Sequence, residues 1–177
     1  MRQLNPGDLI TLFNRCFLQS HHTVLAYGES EPLYLPANQQ QPHHTIFFAH
    51  RFFNSALHEC AHWMIAGKER RQLEDYGYWY VPDGRNAEQQ ALFQQVEVKP
   101  QALEWLFSQA AGSKFEFSFD NLEGSVEDYE QFKEAVTQQM LSYQQNGLPP
   151  RAQIFHQALT YFFKIKSSQS MFDNKSL

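Results

Sequence analysis

The chain has 177 residues, a formal net charge of −5 at pH 7 and a hydrophobic content of 42%. This length and apolar content predict one folded domain with a sizeable core. The acidic balance argues against a nucleic-acid-binding protein, which normally carries a basic surface. Two cysteines exclude a disulfide scaffold, and no apolar run is long enough for a membrane span. Because residues 1–8 also lack the apolar core of a signal peptide, we expect a cytoplasmic protein with no nucleic-acid or membrane partner.

Helical and strand patterns alternate in the first half of the chain. Residues 6–17 carry apolar side chains at helical spacing, and residues 23–27 predict a short strand that stops at Gly28. Residues 31–43 are rich in Pro, Gln and Asn, which predicts a loop with a short strand at residues 33–35. Residues 45–49 predict a buried strand that leads into a helix. We expect this helix to be capped by Asn54 or Ser55 and to end at Gly67.

The second half of the chain is mostly helical in pattern. A helix is predicted over residues 86–111 with its stop at Gly112, and Pro100 within it predicts a kink or a break into two helices. Residues 115–119 alternate with period two, which indicates an edge strand, and helices over residues 127–146 and 151–163 follow. The predicted class is therefore α+β: a single helix-rich domain with a small sheet over residues 1–166, and a polar, disordered tail over residues 167–177.

One predicted helix contains the segment His58-Glu59-Cys60-Ala61-His62, which is an H-E-x-x-H motif. Positions i and i+4 share one face of a helix, so both imidazoles can bind one metal ion while Glu59 lies beside it. Cys60 falls on the opposite face, and we interpret it as a packing residue. The motif therefore predicts a metal site and leaves its chemistry open.

A stable site of this kind needs a third ligand. The extended motif with a third histidine fails, because Ile65 stands at its glycine position and Lys68 at its histidine position. A carboxylate on the next helix is the other common solution. We prefer Glu97 to Glu88 and Glu104, because it lies in an apolar stretch where an acid needs a partner.

The set His58, His62 and Glu97 supports three interpretations. With zinc it is the ligand set of a metallopeptidase, in which Glu59 acts as general base on the attacking water. With iron(II), two histidines and one carboxylate leave positions open for dioxygen. The third interpretation is a purely structural metal. Ligand type alone does not choose between zinc and iron.

Several longer segments of the sequence are unusual: EPLYLP at residues 31–36, SALHECAHW at 55–63, AGK at 66–68, GYWYVPDGR at 77–85, VEVKPQAL at 96–103 and DNLEG at 120–124. Together they resemble the elongation factor P hydroxylase family. The resemblance covers most of the chain, residues 8–163, and leaves the C-terminal tail out.

The resemblance implies a metal-dependent, dioxygen-using monooxygenase. Its substrate would be the β-lysylated lysine of elongation factor P, in the final step of that modification. The implied metal is iron(II), although the purified protein could contain zinc or another divalent ion, and the implied ligands are His58, His62 and Glu97. The implied fold has a zinc-peptidase-like metal helix. Proton transfer or the orientation of water would be the catalytic role of Glu59.

The substrate implied by the resemblance is a long cation on a protein, so we expect acids and aromatic faces in the pocket. Two rivals stay open, a zinc metallopeptidase and a metal-stabilised module that only binds a translation factor. The aromatic side chains could also simply pack the core. The candidate substrate contacts are Asp75, Tyr78, Trp79, Asp83 and Arg85.

Overall fold

A computed structural model describes residues 4–75, 87–119 and 126–173, with the side chains of residues 4–75, 95–119 and 127–166. The described residues form one helix-rich domain with a three-stranded sheet, which confirms the predicted α+β class. In chain order the elements are α1 (Pro6–His21), β1 (Thr23–Tyr27), β2 (Leu33–Leu35), β3 (His44–Phe48), α2 (Phe53–Ile65), α3 (Ala87–Ala111), α4 (Val126–Asn146) and α5 (Pro150–Asp173).

Helix α1 and the sheet form the N-terminal part of the fold. The Asn5 side chain caps α1 by accepting a hydrogen bond from the main-chain N–H of Gly7. The helix continues past its predicted end to His21, whose ring lies 5.5 Å from those of both Phe17 and Trp63. The strands lie within one residue of their predicted positions. In the sheet, β3 is central, parallel to β1 and antiparallel to β2.

The start of α2 differs from the prediction. The helix begins at Phe53, and Phe52 before it is extended and offers no side-chain cap, so the predicted cap at Asn54 or Ser55 is wrong. A 3₁₀ turn over Ala49–Arg51 leads into the helix, and two of its residues have positive φ. The entry angle of α2 is therefore set by the turn and not by a capping side chain.

The end of α2 lies at Ile65, two residues before Gly67, which was the predicted end. The last carbonyls of a helix have no partner within the helix. Here the Arg151 side chain, from the first turn of α5, supplies a hydrogen-bond donor for these carbonyls. Its Nη2 donates to three main-chain carbonyls at 2.6–3.0 Å, those of Trp63, Met64 and Ala66.

Helix α3 passes through Pro100 as one helix, so the predicted break into two helices is wrong. Proline has no N–H, and the carbonyl of Val96 therefore lacks its usual helical partner. Burial on two sides compensates for this loss, because Leu103 packs in the main core while Leu106 packs against α4. Gly112, at φ 74°, ends the helix as predicted.

Residues 113–119 form no strand, so the predicted edge strand over residues 115–119 is wrong. The alternating burial is present, since Phe115 and Phe117 are half-buried with their ring centroids 5.1 and 5.3 Å from that of Trp105. The main chain of Ser118, however, is bonded by the Gln101 side chain. The Gln101 side chain thus makes the hydrogen bonds that a neighbouring strand would make.

Helix α4 packs against α3 in a second, smaller cluster, while α5 packs in the main core with α1, α2 and α3. The first matches its prediction within a residue, and the second continues to Asp173, well past the predicted end at residue 163. The domain boundary at residue 166 and the disorder of the tail stay predictions. No described helix is apolar enough over a sufficient length to cross a membrane.

The main core positions the H-E-x-x-H helix. One face of α2 is buried among α1, α5 and the sheet, and Cys60 on this face is fully buried, which confirms its packing role. The opposite face carries His58, Glu59 and His62 and points towards α3. The core thus fixes the helix while leaving its polar face accessible. The zinc-peptidase-like character of this helix stays a prediction.

Candidate metal centre

The two histidines of α2 converge on one point. The Nε2 atoms of His58 and His62 lie 3.0 Å apart. Their side chains are 23% and 27% exposed, so the site is accessible but largely shielded from bulk water. This arrangement follows from the i, i+4 spacing on one helical face, as the motif predicts.

Glu97 approaches the same point from α3. Its Oε1 lies 3.1 Å from His62 Nε2 and its Oε2 lies 3.5 Å from His58 Nε2, while its side chain is only 6% exposed. The structure therefore brings together the three residues that the sequence suggests as ligands, and they form a cluster that could hold a metal ion.

The spacing of the donor atoms fits a metal ion. Donors bound at about 2.0–2.2 Å to one ion, at angles of about 90–109°, lie about 2.8–3.6 Å from one another. The two Nε2 atoms lie 3.0 Å apart, and each lies 3.1 or 3.5 Å from a different oxygen of the Glu97 carboxylate, so each separation falls in this range. Two imidazoles and one carboxylate suit zinc and iron(II) equally. The donor set thus fits a divalent metal without selecting one.

Glu104 orients the first histidine. Its Oε2 lies 2.8 Å from His58 Nδ1, and the carboxylate is 9% exposed. A proton on Nδ1, donated to this carboxylate, leaves the Nε2 lone pair of a neutral His58 directed at the cluster. Such carboxylate–histidine contacts commonly fix the tautomer of metal ligands. This role of Glu104 differs from the ligand role weighed for it above. Glu104 lies seven residues, or two helical turns, after Glu97, and this spacing places both acids on one face of α3.

Gln101 holds Glu97 in place. This side chain is fully buried and lies between the two acids along α3. It forms a side-chain hydrogen bond with Glu97 and two hydrogen bonds with the main chain of Ser118, at 2.7 and 3.2 Å. The carboxylate is therefore tied through one amide to the segment that follows α3.

The pKa values reflect this concentration of charge. Burial lowers the pKa of His58, but the hydrogen bond to Glu104 and the charges of Glu97 and Glu104 outweigh it and raise the pKa to about 10. Burial likewise raises the pKa of Glu97, and the charge and hydrogen bond of His62 reverse this and lower it to about 2. Without a metal, the site is therefore an ion-paired cluster, and a metal would have to displace a proton from His58.

Glu59 lies beside the cluster and lines a cavity of about 330 Å³. It is half-buried and forms no hydrogen bond or ion pair with the described residues. Burial raises its pKa and the charges of Glu97 and Asp75 add to this, while His58 and His62 act in the opposite direction. Its position next to His62 on the cavity wall suits an exchange of protons with a bound molecule.

Only one of the predicted substrate contacts lies within the described residues. Asp75 lines the cavity, and its main chain forms an antiparallel bridge with Tyr34. Its carboxylate is already paired, with Oδ2 2.5 Å from Nη2 of Arg70. The other four candidates, Tyr78, Trp79, Asp83 and Arg85, lie outside the described residues.

Comparisons with known proteins show the family of the chain. The family model described as elongation factor P hydroxylase matches residues 12–172. The "Elongation factor P lysine hydroxylase" of Haemophilus influenzae is 53% identical over 156 residues, which are 88% of each chain. The matched residues contain His58, His62, Glu97 and Glu104. This chain belongs to the elongation factor P hydroxylase family.

Proposed function

We propose that this protein hydroxylates a lysine of elongation factor P. The observation that carries the proposal is a cluster of two imidazoles and one carboxylate in a chain of this family, with a cavity beside it. The relative from Haemophilus influenzae is named for the same activity. Because the family and the relative are both named as hydroxylases, the zinc metallopeptidase is not favoured.

The proposed metal is iron(II), held by His58, His62 and Glu97, with dioxygen as co-substrate. Bound iron would supply the activation of dioxygen, which amino-acid side chains do not provide. The protein contributes the arrangement of the donors. Glu104 keeps the proton of His58 on Nδ1, and Gln101 keeps the Glu97 carboxylate aimed at the two imidazoles.

The proposed role of Glu59 is to hold or transfer a proton at the cavity wall. A carboxyl group with a raised pKa exchanges protons near neutral pH more readily than an ordinary one. Glu59→Gln keeps the shape and removes the titration, so we expect turnover to fall by about 10²–10⁴-fold with metal content unchanged. A module that only binds a translation factor predicts no effect of this substitution.

The proposed substrate is the β-lysylated lysine, whose modification this step would complete. The cavity of about 330 Å³ can receive a long side chain, and Asp75 lies on its wall. We propose that Tyr78, Trp79, Asp83 and Arg85 also contact the substrate or its protein. Asp75→Ala or Trp79→Ala should then weaken substrate affinity with metal content unchanged. Because Asp75 is paired with Arg70, the effect of its removal should be the smaller.

The decisive experiment is to incubate the iron-loaded protein with β-lysylated elongation factor P, with and without oxygen, and weigh the product. We expect an oxygen-dependent gain of one oxygen atom, about 16 Da. His58→Ala and Glu97→Ala should abolish both iron binding and this gain. His156→Ala, on α5, and Glu130→Ala, on α4, are matched controls that should retain both. Full activity of a ligand variant, or a product that forms without oxygen, contradicts the proposal.

A further inference from the structure

The cavity beside the cluster has a basic side as well as an acidic one. Arg70, Arg71 and Lys99 line it, in addition to Glu59 and Asp75. Arg70 is paired with Asp75, whereas no described carboxylate lies within ion-pair distance of Arg71. A cationic substrate side chain does not explain a cationic wall. The proposed hydroxylation therefore leaves the positively charged side chains of the cavity without a role.

Arg71 and Arg151 both lie over the indole ring of Trp63. The guanidinium carbon of Arg71 lies 5.8 Å from the ring centroid, and that of Arg151 lies 4.8 Å from it. The Nε atoms of both arginines are buried and have no hydrogen-bond partner among the described residues. Two like charges are thus held next to each other with donor groups unsatisfied, which is costly unless an anion compensates.

Neither arginine forms an ion pair with a described carboxylate. Their electrostatic neighbours are Tyr34, His21 and His44. Burial and the charge of Arg71 lower the pKa of Arg151 to about 10. Burial, Arg151 and Arg71 also lower the pKa of His21. The two arginines therefore place two positive charges on one indole ring, although the whole chain carries a net charge of −5.

The two arginines differ in what they can offer a ligand. Arg151 already donates through Nη2 to three carbonyls at the end of α2, so it is held in place by the main chain. Arg71 donates no side-chain hydrogen bond to a described residue, and it lines the cavity. Arg71 is thus the residue available for direct contact, and Arg151 adds its charge from behind.

We propose that Arg71, supported by Arg151, binds a carboxylate group that enters the cavity alongside Glu59 and His62. The planar guanidinium can bond both oxygens of a carboxylate at once, which a lysine cannot do. The carboxylate has two possible sources: a free small carboxylic acid, or an aspartate or glutamate side chain of the protein substrate. Only the second source rests on the proposed function.

The test uses succinate as the probe and full-length protein, both as purified and after treatment with EDTA, so that binding at the arginines is separated from binding to a metal. Isothermal titration gives the dissociation constant for wild type, Arg71→Gln and Arg71→Lys. We expect Arg71→Gln to weaken binding by about tenfold or more and Arg71→Lys to have a smaller effect. Arg15→Gln, which removes an exposed arginine of α1, should bind succinate as the wild type does.

The second arm measures the affinity of the same variants for β-lysylated elongation factor P. Loss of succinate binding in Arg71→Gln identifies a free carboxylate as the ligand. Loss of affinity for the protein substrate, with no succinate binding even in wild type, identifies a carboxylate of the partner. If Arg71→Gln lowers the melting temperature but changes neither affinity, the arginine only packs on Trp63 and the proposal is wrong. The succinate result stands whether or not the protein hydroxylates elongation factor P.

Discussion

The buried contact between Glu104 and His58 makes a sharp prediction about metal affinity. The Oε2–Nδ1 distance is 2.8 Å, and the carboxylate is 9% exposed. Glu104→Gln keeps the size of the side chain, and its amide oxygen can still accept the imidazole proton. What it removes is the negative charge. We therefore expect the site to keep its geometry while the affinity of His58 for the metal changes.

Loss of this charge has two opposing effects. A hydrogen bond to a charged group contributes about 1.5–3 kcal/mol, which corresponds to about 10–100-fold in metal affinity and matches the range for outer-sphere partners of metal ligands. Against this, Glu104 is one of the groups that overcome burial and raise the pKa of His58 to about 10, so it also helps a proton to compete with the metal. Its removal weakens that competition.

The two effects of Glu104→Gln on metal affinity depend differently on pH. Competition between protons and the metal for His58 decreases as the pH rises. The loss of the charged hydrogen-bond partner lowers the metal affinity at every pH. The metal affinity of Glu104→Gln, relative to wild type, must therefore fall as the pH rises. At high pH the loss should approach about 10–100-fold.

The assay is a competition titration of zinc(II), as a redox-inert probe, against a chromophoric chelator at about pH 6.5 and about pH 8.5. Glu130→Gln is the matched control, because its carboxylate pairs with Lys133 at the surface of α4. It should change the affinity by less than about twofold at either pH. A ratio between Glu104→Gln and wild type that stays constant or rises with pH refutes the reasoning.

Three further predictions concern stability. Arg151→Met removes the donor at the end of α2, so urea denaturation should show a loss of about 2–4 kcal/mol in unfolding free energy; a loss below about 0.5 kcal/mol contradicts the capping role. The metal-free protein should be most stable between about pH 4.5 and 6.5. The lowered pKa of Glu97 gives stability that is lost as the pH falls from 4.5 towards 2, and the raised pKa of His58 gives stability that is lost as the pH rises from 6.5 towards 10. Urea titrations across this range check it, and stability that increases from pH 6.5 upwards is the contrary result. Gln101→Leu removes two hydrogen bonds to the main chain of Ser118 and the support of Glu97, so the melting temperature and the zinc affinity should fall together. An unchanged zinc affinity would show that Gln101 does not position Glu97.

The cluster of His58, His62 and Glu97 could be predicted because its signals are local. The spacing of His58 and His62 already places two imidazoles on one helical face, and Glu97 is an acid in an apolar stretch. The contact between Glu104 and His58 Nδ1 could not be predicted from local signals. It depends on the orientation of α3 against α2, which decides which acid meets Nε2 and which meets Nδ1.

The errors in the fold share one cause, which is tertiary contact overriding a local pattern. The start of α2 is set by a turn with positive φ at His50 and Arg51, a strain that no capping rule anticipates. The alternation of residues 115–119 was real, but Gln101 occupies the hydrogen bonds that a strand would need. Pro100 does not interrupt α3, because packing on both sides holds the helix together.

The position of the donors on two helices has a consequence for the lifetime of the protein. His62 and Glu97 are 35 residues apart in the chain, and only the folded state brings them within reach of one ion. An ion held by both acts as a cross-link between α2 and α3, and at a concentration a hundredfold above its dissociation constant it adds about 2.7 kcal/mol to the folded state. Chains made when the ion is scarce lack this cross-link and unfold more often, which exposes them to proteolysis. The abundance of the protein would thereby depend on the supply of the proposed metal.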